Sequence, residues 1–391
     1  MCATVFYPKV FLLVCAAGFV MTMGMGVGDT LVPLYAAEVG ATSLVIGMIV
    51  SSFWAARTTV EVPSGLISDR IGRRKPVIAG LLLSAVGSFV CGLPVGPFGI
   101  IVARGVFGIG SALFFCTVMT LVVDLLGSHR RGRSFGTWEA TISAGSLLGT
   151  SVSGYVVYYL GFRGAFFGCA VLMIVSCLVF AVPRSMRVVG EKPLTVGPRG
   201  HRFDFLRSRT FLVVVFVGFV RFFVEQGMIR TVFPLYANGD LSFEIPLVGV
   251  IMALRDLGFI LASLGLGALS DRVGRKSLLL SGVTLTALTI YLLGVTEIFS
   301  FLSVLMFLSG FASGTVWITL PILVTESADV PSRGVAMGVF RSSFDAGAVI
   351  GPVFAMSLLT SLGIKSCFQV GALLMLVNLI PIGFLLGRKR R

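Results

Sequence analysis

The chain has 391 residues, of which 56% are hydrophobic and only 12% charged, with a mean hydropathy of +1.00. Soluble proteins run about 45–50% apolar and about 25% charged, so a globule in water is excluded and lipid is the solvent. Twelve spanning helices of about 22 residues would occupy about 264 and leave about 127 for loops and tails, too few for a separate soluble catalytic domain.

Apolar runs between polar breaks predict spans over 10–36, 44–68, 76–95, 98–124, 134–160, 164–182, 211–237, 246–269, 277–296, 301–325, 336–360 and 366–387. The first run continues too long, and without a polar cleavage region, to be a signal peptide. Between the sixth and seventh spans lies the one long polar stretch, with Gly190, Pro193, Gly197 and Pro198 among its cations. It is expected to link, over 183–210, two six-helix bundles at 1–182 and 211–391.

The net charge of +14 is distributed by topology. Of the 31 cations, 23 fall in loops on one alternation, from Lys9 through Arg70, Arg73, Arg74 and Lys75 to the Arg388–Arg391 tail, while Arg163 and Lys365 are the two in the opposite loops. The positive-inside rule then places both termini in the cytoplasm of a multi-pass cell-membrane protein. No nucleic-acid partner is implied. Cys15, Cys91, Cys116, Cys169, Cys177 and Cys367 lie in or beside apolar runs without metal-ligand spacing, and the two histidines, His129 and His201, lie in loops. No metal site, reactive constellation or cofactor is expected, hence no enzyme. The Gly-x-x-x-x-Gly-Lys phosphate loop is also missing, which excludes ATP drive from this chain.

The halves repeat at an offset of 202, which pairs Gly47 with Gly249, Asp69 with Asp271, Gly72 with Gly274, Gly108 with Gly310, Asp124 with Glu326, Gly145 with Gly347 and Gly149 with Gly351. At 201, Pro33-Leu34-Tyr35-Ala36 meets Pro234-Leu235-Tyr236-Ala237. An even number of spans per half gives both copies one orientation, related by a pseudo-two-fold axis along the membrane normal.

The loop Gly65-Leu66-Ile67-Ser68-Asp69-Arg70-Ile71-Gly72-Arg73-Arg74-Lys75 and its copy, which keeps Asp271, Arg272, Gly274, Arg275 and Lys276, resemble the signature loop of the major facilitator superfamily. The likeness runs along essentially the whole chain, and its look is that of the twelve-helix drug/proton antiporter branch. It implies an all-α membrane fold of two six-helix bundles around a central cavity, with helices 3, 6, 9 and 12 as outer scaffold. It also implies that Asp69, Arg73 and Asp124 latch a cytoplasmic gate, with Asp271, Arg275 and Glu326 as the second set. The alternative for each set is a surface ion pair worth about 0–1 kcal/mol.

Twelve ionisable residues lie within spans: Asp29, Arg57, Glu61, Arg104, Glu139, Arg221, Glu225, Arg230, Arg255, Asp256, Arg341 and Asp345. Each costs about 2.5–3.5 kcal/mol at a helix centre, so lipid-facing positions are unfavourable and a wet interior is expected. They fall on spans 1, 2, 4, 5, 7, 8 and 11, those the resemblance assigns to the cavity. Arg57 with Glu61, Arg221 with Glu225, and Arg341 with Asp345 have the i, i+4 spacing of pairs that neutralise each other on one face. The functional alternative is that one of the acids exchanges a proton as its surroundings alternate, because burial raises a carboxyl pKa and a nearby cation lowers it. Glu225, near mid-span with Arg221, Arg255 and Asp256, is the first candidate, followed by Glu61 and Asp29.

In the fourth span Arg104, four residues before Gly108-Ile109-Gly110, resembles a second superfamily signature that implies a proton role; close helix packing explains the glycines equally. Gly136, Gly145, Gly149 and Gly154 have the spacing of the antiporter motif, although Thr150 replaces its proline. The second copy keeps Gly347 and Gly351-Pro352, so these glycines are candidates for a helix hinge, or for small-residue packing. Phe114, Phe115, Trp138, Phe219, Phe222, Phe223, Phe233 and Trp317 are expected to line a cavity suited to an amphipathic or aromatic solute.

The resulting reading is a monomeric secondary transporter that moves a small organic solute by alternating access with proton-coupled efflux. The alternatives are a nutrient importer by proton symport or facilitated diffusion, and a non-transporting receptor on the same scaffold.

Overall fold

A computed structural model describes residues 8–125, 131–183, 204–265, 274–329 and 332–385. Every regular element among these residues is helical: α1 Pro8–Glu38, α2 Ser43–Ile71, α3 Arg74–Gly92, α4 Pro97–Leu125, α5 Arg131–Ala181, α6 Arg209–Asp240, α7 Ile245–Gly265, α8 Arg275–Leu293, α9 Phe299–Ser327, α10 Arg333–Val377 and α11 Leu379–Leu385. In hydrocarbon a helix satisfies its backbone groups internally, and ten stretches are long and apolar enough to cross. Most helices overrun the predicted spans by a turn or less, because polar ends such as Asp69-Arg70 continue the winding after the apolar run stops, while α3 and α8 stop three residues short of them, at Gly92 and Leu293. The greater part of the expected 183–210 linker lies outside the described residues.

Two of the ten stretches, Gly136–Ala181 and Val335–Gly383, are 46 and 49 residues long. At 1.5 Å per residue each is about twice the roughly 30 Å of a bilayer core. Each is broken by one non-helical glycine, Gly161 (φ +68°) in α5 and Gly363 (φ +79°) in α10. The twelve-span reading divides both stretches at these glycines. The two bends are 202 residues apart, as are Gly72 (φ +84°) and Gly274 (φ +86°) at the turns into α3 and α8. Only glycine takes such φ values without steric cost.

The chain forms two compact units, one of residues 1–41 and 52–196, the other of 42–51 and 197–391. The first is packed around Val14, Phe53, Phe114, Trp138 and Phe180; the second buries Phe211, Val217, Phe233, Val316 and Phe340. The first turns of α2 group with the second unit, where Ser51 Oγ donates to Val349 O at 2.5 Å.

Four glycines of α5 and α10 sit at seams between backbones, while Gly136 is exposed and a Cβ there would meet nothing. A Cβ on Gly145 or Gly149 would strike the Phe19 or Met23 carbonyl of α1, and one on Gly347 or Gly351 the Phe219 or Phe223 carbonyl of α6. Gly108 and Gly310 lie in the same way on the carbonyls of Phe53 and Arg255. These positions therefore pack two helices at close range. Gly154 and Pro352 are buried in the same helices.

α6 departs from its counterpart. Before Glu225 it follows α1 at an offset of 200, with Phe219 and Phe223 where α1 has Phe19 and Met23. Beyond it the offset is 201, since Tyr35 packs on Phe166 (5.1 Å) as Tyr236 packs on Phe368 (5.8 Å). One residue has entered α6, and Glu225–Val232 absorbs it as a wide π turn. There Phe233 N donates to Met228 O, and Thr231 Oγ1 donates to Gln226 O at 2.6 Å. Such turns recur at functional sites.

Candidate functional site

The π turn carries the densest charge cluster of the second unit. Glu225 opens it and Arg230 follows five residues later. In a regular helix that spacing would put them about 140° apart; here Arg230 Nε lies 3.4 Å from Glu225 Oε1. From α7, Arg255 also pairs with Glu225 and places Nη1 3.0 Å from Asp256 Oδ1, while Arg230 Nη2 donates to the same oxygen at 2.5 Å. Two cations and two carboxylates thus alternate in a closed, electrically neutral set. Its side chains are 3% to 20% exposed. Burying ions is tolerable only when they are paired and hydrogen-bonded in this manner.

Arg221 is not the partner of Glu225 that its spacing suggested. It donates from Nη2 to Ser313 Oγ of α9 at 2.6 Å, and its guanidinium lies over Phe222 (4.9 Å), Trp317 (5.4 Å) and Phe259 (5.9 Å). Glu225 instead reaches Arg255 of α7 and Arg230 of its own helix. Arg221 is 4% exposed, and its Nε and Nη1 make no hydrogen bond among the described residues. On α10, Asp345 is wholly buried and Arg341 partly so.

The first unit holds its charges in separate pairs. Arg104 Nη2 of α4 donates to Asp29 Oδ1 of α1 at 2.8 Å, with its guanidinium 4.8 Å from the Phe53 ring centre. Arg57 and Glu61 keep their helical pairing at 3.9 Å, and Arg57 faces Trp54 and Phe115. Glu139 is partly buried on α5. Of the aromatics expected to line a cavity, Phe114, Trp138 and Phe233 are 0–1% exposed and belong to packed cores. Trp138 fits against Gly18, where a Cβ would come within 2.5 Å of the indole. The absence of a side chain at Gly18 draws the ring into α1.

For the gate, Gly65, Arg70 and Gly72 end α2 and form the turn into α3. Arg73 is buried there and donates to Ser68 Oγ at 2.6 Å. The side chains of Asp69 and Asp124 lie outside the described set, as do Asp271 and Arg272 entirely. In the second set Gly274 makes the turn, and Arg275 forms an ion pair with Glu326, a half-exposed carboxylate. Arg230 is the residue that sequence reasoning counted within a span but did not carry into the candidate site. Its signal was the change of repeat offset from 200 at Phe19/Phe219 to 201 at Tyr35/Tyr236, which marks an inserted residue.

Comparison with known proteins bears on what this arrangement serves. The model of the Major Facilitator Superfamily matches residues 14–236 and 211–391. An uncharacterised MFS-type transporter of Methanocaldococcus jannaschii is 25% identical, with 92% of this chain and 93% of the relative covered. Multidrug resistance protein MdtG of Dickeya zeae is 26% identical over 93% and 87% of the two chains. In fold the chain is similar to the crystal structure of a POT family transporter in complex with a thioalcohol-conjugated peptide, with a TM-score of 0.82 at 16% identity over 97% and 96% of the chains.

Proposed function

The chain belongs to the Major Facilitator Superfamily and is a multi-pass membrane transporter of small solutes, and from that premise we propose that it exports an amphipathic or aromatic organic solute in exchange for protons. The observation that carries this reading is the neutral set that Glu225 and Arg230 of the π turn form with Arg255 and Asp256 of α7. A proton taken up by Glu225 leaves the set with a net positive charge and loosens its hold on Arg255. Release of the proton restores the pairing. A carboxylate shared by two guanidiniums is thereby a two-state element whose balance a proton gradient can bias, and each charge moved through 100 mV supplies about 2.3 kcal/mol.

Arg221 with Phe222, Phe259 and Trp317 supplies an aromatic-lined cation beside this set, a chemistry that suits an aromatic solute. The multidrug relatives support efflux as the direction. The loop cations support cytoplasmic termini, with Arg73 and the Arg275–Glu326 pair on the cytoplasmic side as parts of the gate. The glycine seams of α5 and α10 are the surfaces on which helices would slide as access alternates, and the chain is proposed to work as a monomer.

Everted vesicles acidified by respiration test the direction. An exporter accumulates a fluorescent amphipathic cation or aromatic dye in them and releases it on addition of a protonophore. Accumulation only in right-side-out vesicles would establish import instead.

A further inference from the structure

At the end of the first unit opposite the Gly72 turn, a cavity of about 570 Å³ opens between the C-terminal end of α1, the α3–α4 turn and the α5 bend, lined by Tyr35, Glu38, Pro94, Leu160, Phe162 and Arg163 among others. Its volume falls within the roughly 300–1,000 Å³ of small-molecule sites. The floor is Tyr35, 2% exposed, whose buried hydroxyl makes no hydrogen bond of good geometry. Opposite charges stand at the rim, Glu38 and Arg163, both exposed and both acting on that hydroxyl.

The second unit shows what closes such a place. Tyr236, the counterpart of Tyr35, donates its hydroxyl to Thr296 O at 3.4 Å. At the corresponding point of the first unit stands Pro94, whose carbonyl the Tyr35 hydroxyl does not engage, and Arg163 is the polar neighbour of that hydroxyl instead. Gly239 stands in the place of Glu38, the acids near the Tyr236 hydroxyl being Asp240 and Glu297, and Lys365 stands for Arg163. The first-unit cavity is thus a local departure from the repeat, with one buried donor, one cation and one anion aimed at the same space.

Its level in the membrane indicates the ligand. Just before the bend, Tyr155, Tyr158 and Tyr159 are 50%, 67% and 77% exposed, and Leu160 is 64% exposed. Tyrosines displayed in this way mark the headgroup level of a bilayer, and the apolar surface beside them faces acyl chains.

We propose that this cavity binds the headgroup of a phospholipid bearing a primary amine, of the ethanolamine class. Arg163 takes the phosphate through its planar fork of donors, Tyr35 donates to a phosphate oxygen, and Glu38 accepts from the ammonium. A choline headgroup has no N–H to give Glu38, and a glycerol headgroup has no cation. The proposal does not depend on the direction or coupling of transport.

The test uses the purified full-length chain in nanodiscs or native mass spectrometry, with dioleoyl lipids of ethanolamine, choline and glycerol headgroups at equal fractions. The wild-type protein is expected to retain the ethanolamine lipid about tenfold over the other two, one charge-assisted hydrogen bond's worth of selectivity. Glu38→Gln should bring the ethanolamine-to-choline ratio close to one, Arg163→Gln should lower all three lipids, and Tyr236→Phe should leave the pattern unchanged. Equal retention of the three headgroups by the wild-type protein would overturn the proposal, as would an unchanged preference in Glu38→Gln. Soluble glycerophosphoethanolamine binding as tightly as the lipid would also overturn it, by identifying a free amine as the ligand.

Discussion

At matching places in their helices the two halves carry different chemistry on one scaffold. Arg255 and Asp256 of the second half stand where the first has Phe53 and Trp54, and Arg230 stands where the first has Asp29. The backbone contacts beneath them are the same, Gly108 on the Phe53 carbonyl and Gly310 on the Arg255 carbonyl. Seam glycines are held in both copies because any side chain there would strike main chain, whereas the residue whose carbonyl they touch is free to change. The first half uses that freedom for an aromatic ring under Arg104, the second for a buried ion set. The inserted residue in α6 adds what substitution alone could not, by turning Arg230 onto the face of Glu225.

Four tests bear on this contrast, in falling order of expected effect. Arg255→Met leaves two buried carboxylates sharing Arg230 alone and is expected to cost about 3–5 kcal/mol, whereas the matching Phe53→Leu, which keeps an apolar side chain, should cost under about 1.5 kcal/mol. Thermal unfolding in detergent checks both, and equal costs would dissolve the distinction between the halves. Deletion of Gln226 returns α6 to the register of α1. The protein is expected to stay folded and monodisperse while dye transport falls at least about tenfold, a loss of about 1.4 kcal/mol in the rate-limiting barrier. Full activity in the deletion would make the π turn incidental.

Asp29→Asn removes the anion from a pair whose carboxylate is one-third exposed, so solvent screens the loss. A double-mutant cycle with Arg104→Met should give a coupling of about 1 kcal/mol, well below that of Glu225 with Arg255. Glu326→Gln at the half-exposed pair with Arg275 should change stability by under about 1 kcal/mol. A larger drop would mean that this pair bears more of the fold than its exposure allows.

The membrane fold was legible because lipid leaves so few solutions, and the spans and the 202-residue repeat could be read from apolar runs and glycines. The location of the charges within helices was legible for the same reason. Their partners were not. Helical spacing found Arg57 with Glu61, but it assigned Arg221 to Glu225; the winding between those two is regular, and it is partners from other helices, Ser313 for Arg221 and Arg255 for Glu225, that draw them apart. Asp29 and Arg104, 75 residues apart, pair only through the packing of α1 on α4. The offset of 201 at Tyr35 and Tyr236 was visible in the letters, but the inserted residue emerged only when Phe19 and Met23 could be laid beside Phe219 and Phe223 at an offset of 200. The aromatic residues misled for a related reason. Sequence marks Trp138 as large and apolar, and only the hollow left by Gly18 shows that it belongs to the core.

The central claim is that the carboxylate of Glu225 couples protons to solute movement. In proteoliposomes, Glu225→Gln is expected to keep solute counterflow within about twofold of wild type, a change of under about 0.5 kcal/mol, and to lose accumulation driven by a pH gradient. Uphill accumulation that survives the substitution would contradict it.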